Sequence, residues 1–523
     1  MSFVLSFNLH FEPNYTTLCI ISNQTESDQS SAHGWSEQRI VVVKNIKNIL
    51  KIMLLIVIDV LAFYCALFAA FYTRKFLTLL LPSVQELTLS IPYFLRIWWL
   101  PVVFIFFISY ERLYVRNLSF WDETRELLKA VTVSLITVLA VLTIGRMTPD
   151  ISRLTVILLW LYGLFLLPLF RLLGKRVLYK AGLWRENVII IGAGKAGMDT
   201  ARGIAMDTHL GYNVIGFLDD ADEKIGTEII INNKPYKVFG KTRKFGKFVN
   251  MLNISTIIIA IPTLPTEKLT ELTSRIQKYT KNILLIPELK GIALTNTEWQ
   301  HLFQQQLFLL KINNNLKSGL NRFIKRSFDI VVSVLFLPLL LPIIGLIGLL
   351  IKLDSPGPVL YRHMRVGRNG KLFGVYKFRS MYRDSKERLA AILRSDPASK
   401  KEWETHFKLK NDPRITRMGM FLRTTSLDEL PQIFNVLTGK MSLVGPRPVL
   451  EEEITKYYRE FADYYFLVRP GISGLWQVSG RSEMDYDKRV GLDTWYVLNW
   501  SVWLDMIILF KTIRVVLKKE GAY

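Results

Sequence analysis

The stretch FDIVVSVLFLPLLLPIIGLIGLLIKL, residues 328–353, decides how this chain is arranged around a bilayer. It is long and apolar enough to span one, yet it carries Pro338 and Pro342 at its centre. Arg322, Lys325 and Arg326 precede it and Arg362, Arg365 and Arg368 follow it. Lysine and arginine mark the cytoplasmic end of a membrane segment, so basic flanks on both sides argue against a crossing. A helix broken near Pro342 can dip into one leaflet and return, its freed carbonyls met by neighbouring groups. The expectation is a re-entrant helix over 328–353 that leaves the remaining chain on the cytoplasmic face; a fifth spanning helix with two tolerated prolines is the competing reading.

Upstream, four further stretches are apolar enough to cross: Ile52 to Tyr72, Ile91 to Tyr110 (interrupted by Arg96), Leu127 to Ile144, and Leu154 to Phe170. Basic residues precede the first (Arg39, Lys44, Lys47), separate the second from the third (Arg112, Arg116, Arg125) and follow the fourth (Arg171, Lys175, Arg176, Lys180), which puts both ends of this bundle in the cytoplasm. Asp59 inside the first is costly in lipid and must face the bundle interior, in a functional or a packing role. Residues 1–48 read as a polar leader without a secretory signal, since Asn23, Glu26 and Asp28 interrupt it. Half the chain is apolar and the formal net charge is +23, with basic residues gathered beside apolar stretches. Anionic membrane lipid and phosphorylated substrates are therefore expected partners, and nucleic acid is not. Cys19, Cys65 and six scattered histidines support neither a disulfide framework nor a thiolate zinc site.

From 181 to 295 the periodicity changes to short strands, Val188–Ile191, Val214–Leu218, Thr256–Ile261 and Ile283–Ile286, separated by helical lengths, which predicts a Rossmann-like domain with a parallel sheet. Gly192, Gly194 and Gly197 form a G-x-G-x-x-G after the first strand, with Asp219 or Asp220 ending the second. Either a nucleotide binds there or the glycines only let strand and helix pack closely. Residues 296–320 read as a linker. Residues 321–523 read as a mixed, mostly helical domain.

That last domain holds TTSLDELPQIFNVLTGKMSLVGPRPVL, residues 424–450. Ser426 reads as an N-cap with Glu429 at the third helical position, which leaves Asp428 among unsatisfied backbone donors that favour its ionised form. A charged carboxylate can attack phosphorus while its acidic neighbour holds a magnesium ion; a simple capping box is the alternative. Arginines recur beside rigid turns, at Arg379, Arg414, Arg417, Arg423 and Arg447, as bidentate phosphate recognition requires. Asp493 to Leu517, with Trp495, Tyr496, Trp500 and Trp503, is composed like an interfacial helix or a buried core helix.

Together, Phe328-Asp329 before the proline-broken helix, YKFRSM (376–381), TSLDELPQ (425–432), VGPRP (444–448) and RPGISGLWQ (469–477) resemble the bacterial sugar transferases, monotopic polyprenyl-phosphate hexose-1-phosphate transferases. The four-helix bundle and Rossmann-like domain before them resemble the long form of that family. The resemblance implies a membrane α/β enzyme of the bacterial inner membrane: four-helix transmembrane bundle, Rossmann-like domain, then re-entrant helix and cytoplasmic catalytic domain. It implies that Asp428 attacks the β-phosphorus of a UDP-sugar, that Glu429 binds Mg2+, and that undecaprenyl phosphate accepts the sugar phosphate. It places Arg423 and Arg447 on phosphate, and Lys377, Arg379, Gln477 and Arg481 along the site. A homodimer is the expectation from long-form relatives. Segments 407–416, 474–481 and 521–523 most resemble members that initiate O-antigen and related exopolysaccharides with galactose; glucose is the alternative sugar. Where the family commonly has Ser-Pro at the helix break, this chain has Leu341-Pro342. Readings from other classes are a membrane-tethered nucleotide sensor and a lipid carrier or channel.

Overall fold

The computed structural model describes residues 29–80, 98–145, 153–252, 254–280, 282–287, 297–302, 307–312, 315–396, 409, 412–480 and 484–518. They form two compact units, 1–288 and 289–523.

The first unit opens with apolar helices α1 (Gln29–Leu80), α2 (Trp99–Tyr110), α3 (Phe120–Ile144) and α4 (Arg153–Lys180). Helix α1 begins well inside the stretch read as a leader, and residues 91–97 of the second expected segment lie outside the described residues. Ala62, Ala66 and Ala70 repeat at four-residue spacing on α1 and are fully buried, the small-residue stripe that lets helices approach closely in lipid. Ser119 caps α3, accepting from the Asp122 N–H, with Asp122 and Glu123 in the first turn where the helix dipole favours them.

Asp59 has a basic partner that composition alone did not reveal. Arg171, counted above as a flanking cation, is buried on α4 and donates from Nε (2.9 Å) and Nη2 (2.6 Å) to the two Asp59 oxygens; Tyr114 Oη adds a third bond at 2.8 Å. The other Arg171 nitrogen reaches Glu123 (2.5 Å), which also binds Lys175 (2.7 Å) and the His209 ring. This network fits the packing reading of Asp59.

The Rossmann-like part follows as β1 (Glu186–Ile191), α5 (Lys195–Met206), β2 (Tyr212–Leu218), β3 (Glu228–Ile231), β4 (Lys234–Gly240), α6 (Phe245–Met251), β5 (Thr256–Ile259), α7 (Thr266–Gln277) and β6 (Asn282–Leu285). Its six strands run in the order β3-β4-β2-β1-β5-β6. All neighbours are parallel except β3 and β4, so the expected parallel sheet is mixed at one edge. Gly192 (φ +103°) lies against the Ala260 carbonyl, and a Cβ on Gly197 would sit 1.9 Å from the Gly192 carbonyl oxygen. These two glycines are required by packing. Asp219 turns inward and accepts from the Ala193 N–H of the glycine loop (2.8 Å), and Asp220 is held by Thr242. A carboxylate already seated on that loop repels an anionic ligand and takes one of its donors, so the close-packing reading is the better fit.

The second unit starts with an antiparallel hairpin, β7 (Thr297–Leu302) and β8 (Leu307–Ile312), within the stretch read as a linker. Helix α8 then runs from Gly319 to Asp354 as one helix through Pro338 and Pro342. Each proline removes a backbone donor without ending the helix. Leu335, Leu339, Leu346, Leu349 and Leu353 stand exposed along it, and it is long and apolar enough to cross a membrane. Its polar end is anchored: buried Asp329 accepts from Lys325 (3.1 Å), Ser442 Oγ (2.7 Å) and the Leu443 N–H (3.2 Å), and Lys325 also pairs with buried Asp505 (2.8 Å).

Beyond α8 come the antiparallel pair β9 (Leu360–Val366) and β10 (Leu372–Phe378), α9 (Ser385–Ser395), α10 (Arg417–Thr425), α11 (Gln432–Leu437), β11 (Ser442–Val444), α12 (Ala462–Leu467), β12 (Gly471–Ser473), parallel to β11, α13 (Tyr486–Leu498) and α14 (Val502–Lys518). The stretch read as one interfacial helix is thus two. Tyr496, Trp500 and Ile508 are buried in the core, while Phe510, Ile513 and Leu517 stay exposed.

Candidate active site

The site is built where α10 ends. Thr416 caps the start of α10 and Ser426 closes it in the left-handed conformation (φ +57°), followed by a single 3-10 turn over Leu427–Glu429 and then Pro431. Ser426 makes no side-chain cap bond, so the expected side-chain N-cap and capping box are absent: its backbone ends α10, and its carbonyl accepts from the Glu429 N–H of the 3-10 turn. The tight turn keeps Leu427 and Leu430 packed toward Ile344, Ile347 and Ile351 of α8, and Asp428 and Glu429 are left half-buried. The carboxylate pair therefore sits directly beside the second half of the apolar helix.

Strand β10 brings the cation. Asn435 of α11, fully buried, donates to the Gly374 carbonyl (2.8 Å) and accepts from the Tyr376 N–H (2.9 Å), fixing the strand beside the turn. Lys377 Nζ consequently lies 2.7 Å from Glu429 Oε1 and 3.7 Å from Asp428 Oδ2. Gly445 and Gly471 bring the Pro-Arg-Pro loop against the turn after Arg469: a Cβ on Gly471 would meet the Gly445 nitrogen at 2.1 Å. Arg447 is thereby held over the Trp476 ring at 5.7 Å with its side chain exposed.

One cavity gathers Lys377, Glu429, Arg447 and Gln477 with His363, Arg365 and Gln432. Arg423 stands on the Asp428 side and donates to Ser380 Oγ (2.9 Å). Arg379 is placed elsewhere. Its guanidinium binds the Pro356 carbonyl (2.9 Å) and the Ser355 carbonyl and hydroxyl (2.6 and 2.9 Å), closing the C-terminal end of α8. Arg481 lies outside the described residues. Sequence reasoning passed over Arg365 because it was counted as a membrane flank, His363 because the histidines show no metal-ligand spacing, and Gln432 because a glutamine after proline carries no distinctive pattern.

Electrostatics separates the two acids. Burial pushes the Asp428 carboxyl up; Lys377 opposes this, Glu429 adds to it, and Arg423 again opposes it. This departs from the expectation that backbone donors hold Asp428 ionised. Glu429 goes the other way: burial raises it, but Lys377, Arg447 and the hydrogen bonds from Lys377 and Gln432 outweigh that and hold it below the usual carboxylate range. Glu429 is thus the fixed anion and Asp428 the more basic, more nucleophilic of the pair.

Among the described residues, no group of three or more acidic, histidine or cysteine side chains is placed to hold a metal. Magnesium suits the site in another way, because it commonly takes only one or two carboxylates together with substrate phosphates. Glu429 is such a carboxylate, with its Oε1 paired to the Lys377 ammonium.

The chain is similar to known proteins over most of its length. Residues 320–519 match the model of the bacterial sugar transferase family, and residues 110–287 match that of a CoA-binding domain. The chain is 39% identical over 414 residues, 79% of its length and 84% of the relative's, to an undecaprenyl-phosphate galactose phosphotransferase of Salmonella typhimurium. It is 38% identical, over 79% of itself and 84% of the relative, to a UDP-galactose-lipid carrier transferase of Erwinia amylovora. A UDP-glucose:undecaprenyl-phosphate glucose-1-phosphate transferase of Escherichia coli is 37% identical over 49% of this chain and 53% of the relative.

Proposed function

Since the chain belongs to the bacterial sugar transferase family, we propose that it moves galactose-1-phosphate from UDP-galactose to undecaprenyl phosphate in two steps, with Asp428 as nucleophile. The observation that supports this most is the pairing of a half-buried, more basic Asp428 with a Glu429–Lys377–Arg447 cluster in one cavity beside an apolar helix. In the first step an Asp428 oxygen bonds to the β-phosphorus, the bond to the bridging oxygen breaks, and UMP leaves. In the second, the acceptor phosphate oxygen attacks the same phosphorus, Asp428 is expelled as carboxylate, and the lipid diphosphate sugar forms. Lys377, Arg423 and Arg447 orient and neutralise the phosphate oxygens. A magnesium ion held by Glu429 would supply further charge neutralisation on the diphosphate.

Galactose is favoured over glucose because the galactose-named relatives align over most of both chains, whereas the glucose-named relative aligns over about half. Basic flanks on both sides of 328–353 support α8 as a re-entrant element, with the catalytic domain on the cytoplasmic face of the inner membrane. A homodimer completes the proposed state. Incubation with labelled UDP-galactose or UDP-glucose, magnesium and undecaprenyl phosphate tests the reaction. UMP release with UDP-galactose and an aspartyl phosphosugar at position 428 are expected; release with neither sugar would refute it, and release with UDP-glucose alone would replace the sugar.

A further inference from the structure

A second cavity lies at the other end of α8 and shares no lining residue with the site above. Its charged walls are Arg322 and Lys325 from the first turns of α8, Arg368 from the β9–β10 turn, and Arg469. Asp329 is the carboxylate lining it, already engaged by Lys325, Ser442 and the Leu443 N–H. Arg326 stands close by, its guanidinium on the carbonyls of Val436 and Leu437, and Arg469 donates to the Gly439 carbonyl. Carbonyls satisfy donors but cancel no net charge. Burial first, then the neighbouring Arg326 and Arg368, push the Arg469 guanidinium down, and Asp329 offsets this. Arg368 Nε is buried without a hydrogen-bond partner among the described residues. The cavity therefore carries unbalanced positive charge and an unmet donor.

Its position decides what kind of anion fits. Arg322 projects from the same turns as Leu320 and Phe323, which are 68% and 69% exposed, and the apolar face of α8 continues from there. A basic pocket at the polar end of a membrane helix lies at headgroup depth. We propose that this cavity binds the phosphate of an anionic phospholipid through Arg322, Arg368 and Arg469, as a lipid site separate from both substrates.

The full chain, purified in mild detergent after exposure to phosphatidylglycerol or phosphatidylcholine, can be weighed by native mass spectrometry to count retained lipid. Phosphatidylglycerol should be held in preference to phosphatidylcholine. Arg368→Gln and Arg322→Gln should each weaken its retention about tenfold, the effect of losing one charge-assisted hydrogen bond. Arg322 is exposed on the helix, so its variant reports on the site even if the Arg368 variant misfolds. Unchanged retention in Arg322→Gln, or equal retention of the two lipids, overturns the proposal. Displacement of the lipid by millimolar inorganic phosphate also overturns it, because the cavity would then serve a soluble anion.

Discussion

Asp428 and Glu429 are neighbours in sequence and share Lys377, yet their surroundings shift them in opposite directions. Replacing Asp428 by Asn keeps the shape and removes the nucleophile; turnover should fall by roughly 10^4-fold or more, with loss of the covalent adduct in quenched-flow mass spectrometry. The raised Asp428 pKa has a definite sign. The ionised form reacts, so adduct formation declines as pH falls through a value above that of an ordinary aspartate. Lys377→Met removes the largest influence holding that carboxyl down and should move the acid limb to higher pH, readable from the single-turnover rate against pH. At this scale the sequence was informative about identity and poor about conformation. The Asp-Glu pair and Arg447 stood out, but Ser426 in a left-handed C-terminal position reads identically to an N-cap until the preceding helix is known. Arg379 likewise reads as a phosphate ligand until Ser355 and Pro356 are seen to be its partners.

At the scale of elements, Asp329 is the fastening of α8. Asp329→Ala leaves the Leu443 N–H and one face of Lys325 without their acceptor, takes one of two acceptors from Ser442 Oγ, and should cost about 3 kcal/mol, measured as a lowered denaturation midpoint in detergent. An unchanged midpoint would mean that the apolar contacts of α8 suffice. Asp493 offers a second handle: it is buried, accepts from Tyr458 Oη at 2.7 Å, and burial pushes its carboxyl up to about 7. The folded protein then holds a proton that the unfolded chain releases near pH 4, about the usual aspartate value. Stability should decline as pH rises from about 4 to about 7, and Asp493→Asn should flatten that slope in thermal melts. Elements were legible where apolar runs are long. The β3–β4 hairpin was missed because its turn is Asn232-Asn233, both at positive φ, a two-residue connection weaker in signal than Asn-Gly, and because β4 carries Lys234, Pro235 and Lys237 in its first half. The β7–β8 hairpin, rich in glutamine and charge-poor, carries no such punctuation at all.

For the molecule as a whole, the side of the membrane reached by each end of α8 is open to direct labelling. Cysteines placed at Gly319 and Pro358, both exposed, in a Cys19→Ser, Cys65→Ala background should react together with an impermeant maleimide from the cytoplasmic side of inverted vesicles. Reaction of one only from each side would mean a crossing. Composition and flanking charge were enough to anticipate a membrane enzyme with a separate α/β part, because hydropathy and periodicity integrate over many residues. They could not reveal pairing across the first unit, since Asp59 and Arg171 are 112 positions apart.

Glu123 belongs to a bundle helix, and His209, which touches it, follows the first helix of the Rossmann-like part. Cutting the chain between those regions would take His209 away from Glu123 and uncover the buried Glu123–Arg171–Lys175 cluster to detergent. Fragments for crystallisation or antibody selection should therefore keep residues 46–287 as one piece, and the α/β part expressed by itself should aggregate.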